Sequence, residues 1–267
     1  MINYINFFGF QKEPFPQVID ANKIYHFPGI DEMNARFSFA VDSGMVLVIT
    51  GAIGAGKSTF LRYACSQFHP SKYKVIPVIA NSGSLLEILR QIASSFNIEA
   101  CSNSISRITK EIKQVMADIF SKKTIPVLVI DEAHLMREAI FKEIHTLLQP
   151  AMNSEKIMPM ILSGQLVLID KLKYHSANAL ASRVMGKAHI DGLDLQRMTE
   201  YLLHHLKIAG VKEMLYDEAS VLAIHQGSGG ILRKANFLAR GALLAAALKN
   251  SKLISAEHVR LAATELL

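Results

Sequence analysis

The sequence predicts an α/β fold, in which a parallel sheet flanked by helices is followed by a helical subdomain. Up to about residue 192, short apolar runs rich in β-branched residues alternate with segments of helical periodicity. From about Leu195 these runs cease and helical spacing continues. The chain has 267 residues, 50% of them hydrophobic, so it can bury a substantial core. We expect an α/β core over residues 1–192 and a helical lid over residues 193–267.

Four apolar runs are typical of strands that are buried on both faces of a parallel sheet. The segments between them have helical spacing, which predicts the order β-α-β-α-β-α-β. Ligands of such sheets bind at the carboxyl ends of the strands. The predicted strands span residues 45–50, 72–81, 124–136 and 157–165, and the predicted helices lie near 58–68, 84–97, 104–121 and 137–149.

A glycine-rich loop follows the first strand. Its pattern, Gly51-x-x-x-x-Gly56-Lys57-Ser58, stands between a strand and a helix, as a phosphate-binding loop requires, and both flanks disfavour a chance glycine turn. Glycines let backbone N–H groups turn toward phosphate oxygens, and the helix N-terminus adds positive potential. We expect Lys57 to reach the β- and γ-phosphates of ATP, and Ser58 to bind Mg²⁺. The predicted nucleotide-binding positions are Gly51, Ala52, Gly54, Ala55, Gly56, Lys57, Ser58 and Thr59.

Two acidic residues end the third predicted strand, in the segment "VLVIDEAH". An acid at this position holds Mg²⁺ through water, so we assign that role to Asp131. Glu132 is placed to polarise an attacking water and is the predicted catalytic base. The alternative is an ordinary strand-to-helix turn with acids near an N-cap. The letters "DEAH" do not by themselves identify a helicase.

Polar residues also end two other predicted strands. Ser163-Gly164-Gln165 follows the fourth strand, and Gln165 is a candidate contact for the γ-phosphate or the attacking water. An ordinary polar turn is the alternative. Asn81 ends the second strand, and we expect it to hydrogen-bond Glu132 and restrain it until a partner binds.

Four helical segments form the predicted lid, over residues 194–210, 216–230, 231–250 and 255–267. Two arginines stand out. Arg233 begins a lid helix and is a candidate to reach back to the γ-phosphate, and Arg183 is a candidate to enter a neighbouring subunit's site. A solvated arginine is the alternative for each. The predicted helix starts are Asp217 and Ser255, and the predicted stops are Gly210 and Gly227.

Charge and cysteine usage limit the partners. The formal charge is +6 and the pI about 9.2, which is compatible with nucleic acid. A stretch without acids carries four basic residues that either lie on DNA phosphates or form a solvated face. Two cysteines give no disulfide framework, and no signal peptide or membrane-length apolar run is visible, so we expect a cytoplasmic protein. The residues concerned are Lys171, Lys173, Arg183 and Lys187, and Cys65 and Cys101.

Several segments together resemble the ExeA-like branch of the AAA+ ATPases over nearly the whole chain. They are "YINFFGFQKEPFPQ", "GAIGAGKST", "VLVIDEAH", "ILSGQLVL", "LASRV", "LLHHLKIAG" and "GSGGILRKANFLARGALLAA". The resemblance implies that Gln165 belongs to the first sensor, Arg233 is the second sensor and Arg183 is the trans-acting arginine. The sequence departs from the family pattern at Leu232, where proline is frequent, and at Ser182, where glutamine is frequent.

The resemblance implies two main functions. Some members are secretion-pathway ATPases with an added membrane helix and periplasmic domain. Others, similar to TnsC, TniB and MuB, assemble with ATP on double-stranded DNA and direct a transposase to its target. The end of the chain at Leu267 and its basic balance favour the second group, so we expect a homo-oligomeric ring or filament on DNA. A signalling switch of the STAND kind is disfavoured because no repeat array is visible.

Overall fold

The computed structural model describes residues 3–81, 84–99, 103–148 and 157–264. Cys101, residue 149 of the fourth predicted helix and residues 265–267 of the last predicted lid helix lie outside these ranges. The chain divides into two compact units. The sheet unit comprises residues 28–51 and 57–190, and the helical unit comprises residues 1–27, 52–56 and 191–267. The helical unit thus includes two segments that precede the predicted lid.

The sheet unit is built on a five-stranded parallel sheet with the order β2-β3-β4-β1-β5. All four predicted strands are present, but the third ends at Asp131, and a short 3-10 helix (Ala133–Leu135) replaces the rest of the predicted strand. The fifth strand was missed, because its alternating exposed and buried residues lack the continuous apolar run used to find the others. The strands are β1 (Val46–Gly51), β2 (Tyr73–Ile79), β3 (Ile125–Asp131), β4 (Met160–Gly164) and β5 (Val184–Ile190).

Helices cover the sheet and make up most of the helical unit. The predicted helices are present, with ends shifted by a few residues. In chain order the helices are α1 (Tyr4–Phe8), α2 (Pro28–Asp42), α3 (Lys57–Ser66), α4 (Leu85–Ser95), α5 (Ile105–Ser121), α6 (Glu138–Ile144), α7 (Val167–Lys173), α8 (Asn178–Ala181), α9 (Leu195–Ile208), α10 (Glu218–Ser228), α11 (Leu232–Leu248) and α12 (Ala256–Ala263). No helix in the described ranges is long and apolar enough to cross a membrane.

The central strands of the sheet are apolar because both of their faces are covered. Every residue of β1 and β4 is buried, and so are the five central residues of β3. Burial of this kind contributes roughly 25 cal/mol per Å² of apolar surface. The side chains cannot reorient without exposing that surface, so the strand ends are held at fixed positions where polar side chains emerge.

Both outer strands of the sheet have backbone groups that are blocked by other parts of the sheet unit. On β2, Pro77 lacks a backbone N–H, and the Gln91 side chain bonds both the N–H and the carbonyl of Ile79, each at 3.1 Å. On β5, the Lys187 carbonyl accepts a hydrogen bond from Arg36 Nη1 at 2.8 Å. Arg36 belongs to α2, which packs beside β5.

The helical unit has a core of its own, to which the N-terminal segment contributes. Phe8, Phe10 and Phe15 are buried among apolar residues of α9 to α12. Phe15 stacks on the buried His205 with ring centroids 5.2 Å apart, and His205 Nδ1 donates to the Pro14 carbonyl at 2.7 Å. The N-terminal segment therefore folds as part of the helical unit.

Local signals set the ends of the lid helices. Asp217 accepts from the Ser220 backbone N–H, Ser255 starts α12 with a capping box, and Gly210 follows α9 with φ +100°. These three predictions are confirmed. Gly227 was wrongly predicted as a stop, because it lies inside α10, which ends at Gly229 with a left-handed φ of +58°.

Candidate nucleotide-binding site

The glycine loop joins β1 to α3, as predicted. Gly54 and Gly56 have φ values of +81° and +107°, a region that favours glycine. Lys57 is the first residue of α3, and its side chain is only 6% exposed. Its Nζ donates to the Gly51 carbonyl at 3.0 Å. The amine is therefore held beside the strand end from which the loop departs.

Residues 52–56 of the loop pack within the helical unit against the start of α11. The Arg233 backbone N–H donates to the Gly54 carbonyl at 3.1 Å. A Cβ atom on Gly54 would lie 2.6 Å from Arg233 Cβ, and one on Gly56 would lie 3.1 Å from Leu232 Cδ1. Glycine is therefore required at Gly54 by close approach as well as by its backbone angle. The contact of Arg233 with the γ-phosphate stays a prediction.

Asp131 ends β3 at the centre of a hydrogen-bond network. Its Oδ2 accepts from Ser58 Oγ at 2.5 Å. Its Oδ1 accepts from Ser163 Oγ and from the Glu132 backbone N–H, both at 2.9 Å. Three strand or helix ends therefore fix the orientation of one carboxylate, as predicted for neighbouring parallel strands.

Glu132 follows with a left-handed backbone, at φ +54° and ψ +28°. Residues other than glycine adopt this conformation rarely, and it is found at functional sites more often than elsewhere. The side chain is 38% exposed, and its Oε2 lies 3.3 Å from His134 Nδ1. That pair is close enough for an ionic contact but is not aligned as a hydrogen bond.

His134 is a residue that sequence analysis missed as a site component. It is 7% exposed, and its Nε2 lies 2.7 Å from the side-chain nitrogen of Gln165. Burial lowers the pKa of His134, and this effect outweighs the opposing influence of Glu132. The available signal was its place in "DEAH", three residues after the predicted metal ligand.

Lys171 supports the same turn. Its Nζ donates to the His134 carbonyl at 2.5 Å and to the Met136 carbonyl at 2.8 Å. The predicted basic face is therefore wrong for this residue, because its amine is bound to backbone carbonyls. Lys173 pairs with Asp170 at 2.9 Å. Asp170 lies just before the acid-free stretch that begins at Lys171.

The functional roles of three further predicted site residues stay predictions. Asn81 follows β2, and its side-chain nitrogen donates to Glu87 Oε1 at 2.5 Å, so its bond to Glu132 stays a prediction. Arg183 is half-buried just before β5, and its carbonyl accepts from the Val46 N–H at 3.0 Å. Thr59 lies in the first turn of α3.

The donor set fits a magnesium nucleotide. Mg²⁺ takes oxygen ligands, keeps several waters and usually binds one or two protein groups plus phosphates. The Ser58 hydroxyl and the Asp131 carboxylate are two adjacent oxygen donors of this kind. The loop before them has the left-handed glycines that turn backbone N–H groups toward an anion.

A family model and a curated relative match this chain. Residues 41–172 match a family model described as an AAA domain. General secretion pathway protein A of Aeromonas hydrophila is 25% identical over 265 residues, covering 98% of this chain and 48% of that protein. The chain therefore spans about half the length of this relative.

Solved structures show the same fold. The ORC2 protein of Aeropyrum pernix, in ADPNP and ADP complexes, has a TM-score of 0.73 at 17% identity, covering 96% of this chain and 72% of that one. The ORC1 protein of Aeropyrum pernix in complex with DNA has a TM-score of 0.69 at 15% identity, over 96% and 70%. The RuvB branch migration motor of Thermotoga maritima has a TM-score of 0.56 at 16% identity, over 96% and 74%. The chain thus has the P-loop AAA+ fold.

Proposed function

We propose that this chain is an AAA-type ATPase that binds ATP with Mg²⁺, assembles as a homo-oligomer on double-stranded DNA and directs a transposase to its target. The observation that carries the ATP-dependent part is the hydrogen-bonded set of Ser58, Asp131 and Glu132 at the carboxyl end of β3. The DNA-dependent part rests on charge and on the proteins that share the fold.

The proposed chemistry follows from the positions of the side chains. Lys57 and the loop N–H groups would bind the phosphates, and Mg²⁺ held by Ser58 and Asp131 would neutralise part of the phosphate charge. Glu132 accepts a proton from the attacking water as general base. Its side chain is partly exposed and can reach solvent, whereas Asp131 is held by three donors and stays fixed. This difference supports one carboxylate as the base and the other as the metal ligand.

Three roles are proposed from the family resemblance. Gln165 senses the γ-phosphate, Arg233 acts as the second sensor, and Arg183 completes a neighbouring subunit's site. Arg183→Ala should spare ATP binding and suppress hydrolysis by about 10³-fold or more. Arg62→Ala, which removes an exposed arginine of α3, is the control. Normal turnover by the Arg183 variant at high protein concentration would contradict the trans role.

DNA is the proposed partner for two reasons. The chain carries a net charge of +6, and proteins of this fold include an ORC1 solved in complex with DNA and a Holliday junction motor. Lys187 is exposed on β5, whereas Lys171 is bound to backbone carbonyls. A DNA-contacting face must therefore use basic residues other than Lys171.

A second candidate is a secretion-system assembly ATPase that acts on envelope proteins. The relative from Aeromonas hydrophila is named as a secretion protein, and its similarity extends over 98% of this chain. In this case the partner would be a protein, and the net positive charge of the chain would have no role in recognising it.

ATP-dependent binding to double-stranded DNA separates the two candidates. We expect binding with ATP and Mg²⁺ at low salt, weak binding with ADP, and a loss of roughly 10³-fold or more in affinity between about 50 and 200 mM salt. Lys57→Ala should lose the ATP-dependent part. If the wild type binds no DNA at low salt with ATP, the transposition proposal fails and the secretion function is favoured.

A further inference from the structure

His134 is closely packed between the turn that follows β3 at Glu132 and the end of β4. A Cβ atom on Gly164 would lie 3.1 to 3.2 Å from the backbone N, Cβ and Nδ1 of His134. The ring therefore occupies the room that a side chain on Gly164 would need. Lys171 holds the His134 carbonyl from the other side, so the backbone of the turn is also fixed.

The two ring nitrogens face different parts of the site. The Gln165 side-chain amide donates to Nε2 at 2.7 Å, which places the proton of the neutral ring on Nδ1. Nδ1 in turn lies 3.3 Å from Glu132 Oε2. It is buried and makes no aligned hydrogen bond with any described residue. A small rotation of the Glu132 side chain would complete this bond.

We propose that His134 is a positioning residue that orients Glu132 and couples its orientation to the contact made by Gln165. This inference rests on the proposed roles of Glu132 as the base and Gln165 as the sensor. While Gln165 donates to Nε2, the Nδ1 proton is directed at Glu132. The Gln165 amide has two N–H donors, so one can hold the ring while the other meets a phosphate oxygen, and Glu132 stays oriented in the nucleotide-bound state.

The surrounding charges are consistent with a neutral ring. Lys57 and Lys171 oppose protonation, and Glu132 and Asp131 favour it. Burial is the largest influence and, together with the two lysines, lowers the pKa of His134 from its ordinary value. A neutral imidazole has one donor and one acceptor, as a relay between a donating amide and an accepting carboxylate requires.

Two substitutions of His134 test the roles of its two ring nitrogens separately. An asparagine amide can place its nitrogen near the position of Nδ1, and a glutamine amide can place its terminal group near Nε2. We expect His134→Asn to keep kcat within about threefold of wild type, because it still donates to Glu132. His134→Gln should lower kcat by roughly 10- to 100-fold, the usual effect of losing a supporting hydrogen bond. KM for ATP should stay within about twofold in both variants.

Thermal unfolding of both variants checks that the fold is intact. Because either variant could be destabilised, the ¹⁵N shifts of the histidine ring nitrogens in the wild type give a second measurement. His134 should have a protonated Nδ1 and an unprotonated Nε2, assigned by the signal that changes in Gln165→Ala. The opposite tautomer would overturn the proposal.

Equal losses of kcat in the two variants, no loss in either, or a larger loss in His134→Asn would also overturn it. Glu132→Gln distinguishes this failure from failure of the proposed function. If Glu132→Gln is inactive while the His134 variants behave alike, only the coupling through His134 is wrong. If Glu132→Gln hydrolyses ATP normally, the proposed role of Glu132 itself is wrong.

Discussion

The two units each bury a histidine, and the two rings have opposite surroundings. His134 is 7% exposed and His205 is 3% exposed. Both have a lowered pKa because burial disfavours the charged ring. Around His205 lie Phe15, at 5.2 Å, and Tyr201, at 4.5 Å between ring centroids, and its Nδ1 is bonded to a backbone carbonyl. Around His134 lie charged side chains, and its Nδ1 makes no aligned hydrogen bond with a described residue.

The difference in hydrogen bonding and surroundings indicates that His205 has a structural role, whereas His134 belongs to the candidate site. A buried polar atom without a bond is destabilising by about 1–3 kcal/mol, so it persists where another requirement holds it. At His134 that requirement is the geometry of Glu132. At His205 the bond and the stacked rings already account for the residue. Changes in the first region should therefore alter turnover, and changes in the second should alter stability.

The largest expected effect is that of Glu132→Gln in the first region. Loss of the base should lower ATP turnover by about 10²- to 10⁴-fold while ATP binding is retained. Single-turnover hydrolysis and binding of a fluorescent ATP analogue measure the two separately. Glu143→Gln, which changes an exposed glutamate of α6, is the matched control and should leave both unchanged. If Glu132→Gln mainly lowered the unfolding temperature, the expectation that changes in this region alter turnover rather than stability would be wrong.

Lys57→Ala should have the next largest effect, again on function. It removes a buried ammonium that would pair with phosphate, so ATP affinity should fall roughly 100-fold or more. Lys74→Ala removes an exposed lysine of β2 and should bind ATP as the wild type does. Calorimetric titration with ATP and Mg²⁺ gives the comparison. Equal affinities for the two variants would remove the basis for the nucleotide site.

Gly54→Ala tests the loop residues that pack within the helical unit. Alanine must adopt φ +81° and its Cβ would meet Arg233 Cβ at 2.6 Å, so we expect a loss of about 2–4 kcal/mol in unfolding free energy. Gly229→Ala is a matched control, because it also has a left-handed φ, of +58°, but no atom within 4 Å of the new Cβ. It should lose only about 1–2 kcal/mol. Urea unfolding followed by circular dichroism measures both, and equal losses would show that the contact with Arg233 has no influence.

His205 gives the smallest effect, and one that depends on pH. Its pKa in the folded protein is about 4, against an ordinary value of 6.5. Between these values the unfolded chain binds a proton that the folded chain does not, so stability falls as the pH decreases through this window. At pH 5 the loss should be about 2 kcal/mol relative to pH 7.5.

His205→Gln should make this part of the pH dependence disappear, whereas His69→Gln, on the exposed surface, should keep it. Urea unfolding at the two pH values is the measurement. ATP turnover at neutral pH in folded His205→Gln should match that of the wild type. A large loss of turnover in His205→Gln would show that His205 affects ATP hydrolysis as well as stability.

The sequence predicted the parts of the fold that repeat a simple physical pattern. β1, β3 and β4 were found because strands covered on both faces need continuous apolar runs. Lys57, Ser58 and Asp131 were selected because phosphate and metal binding need such groups near the ends of strands, and their binding roles stay predictions. The hydrogen bond between Ser58 and Asp131 confirms that these two residues meet.

What the sequence missed depends on contacts between distant residues. β5 is an outer strand, so its alternating pattern is shared by many exposed segments. His134 contacts Gln165, which is thirty-one positions away in the sequence, and Lys171 was misjudged because its carbonyl partners lie in another turn. Every residue has a backbone carbonyl, so the sequence does not show which carbonyls accept a hydrogen bond from a distant side chain.

The blocked outer strands limit how copies of this chain can associate. An open parallel sheet could in principle grow by adding a strand from a second molecule at either side. Pro77 and Gln91 remove hydrogen-bonding positions on one side, and Arg36 removes one on the other. Assembly into a ring or filament would then have to join side-chain surfaces. The same blocks also disfavour irreversible aggregation through main-chain pairing at the high local concentration that an assembled oligomer creates.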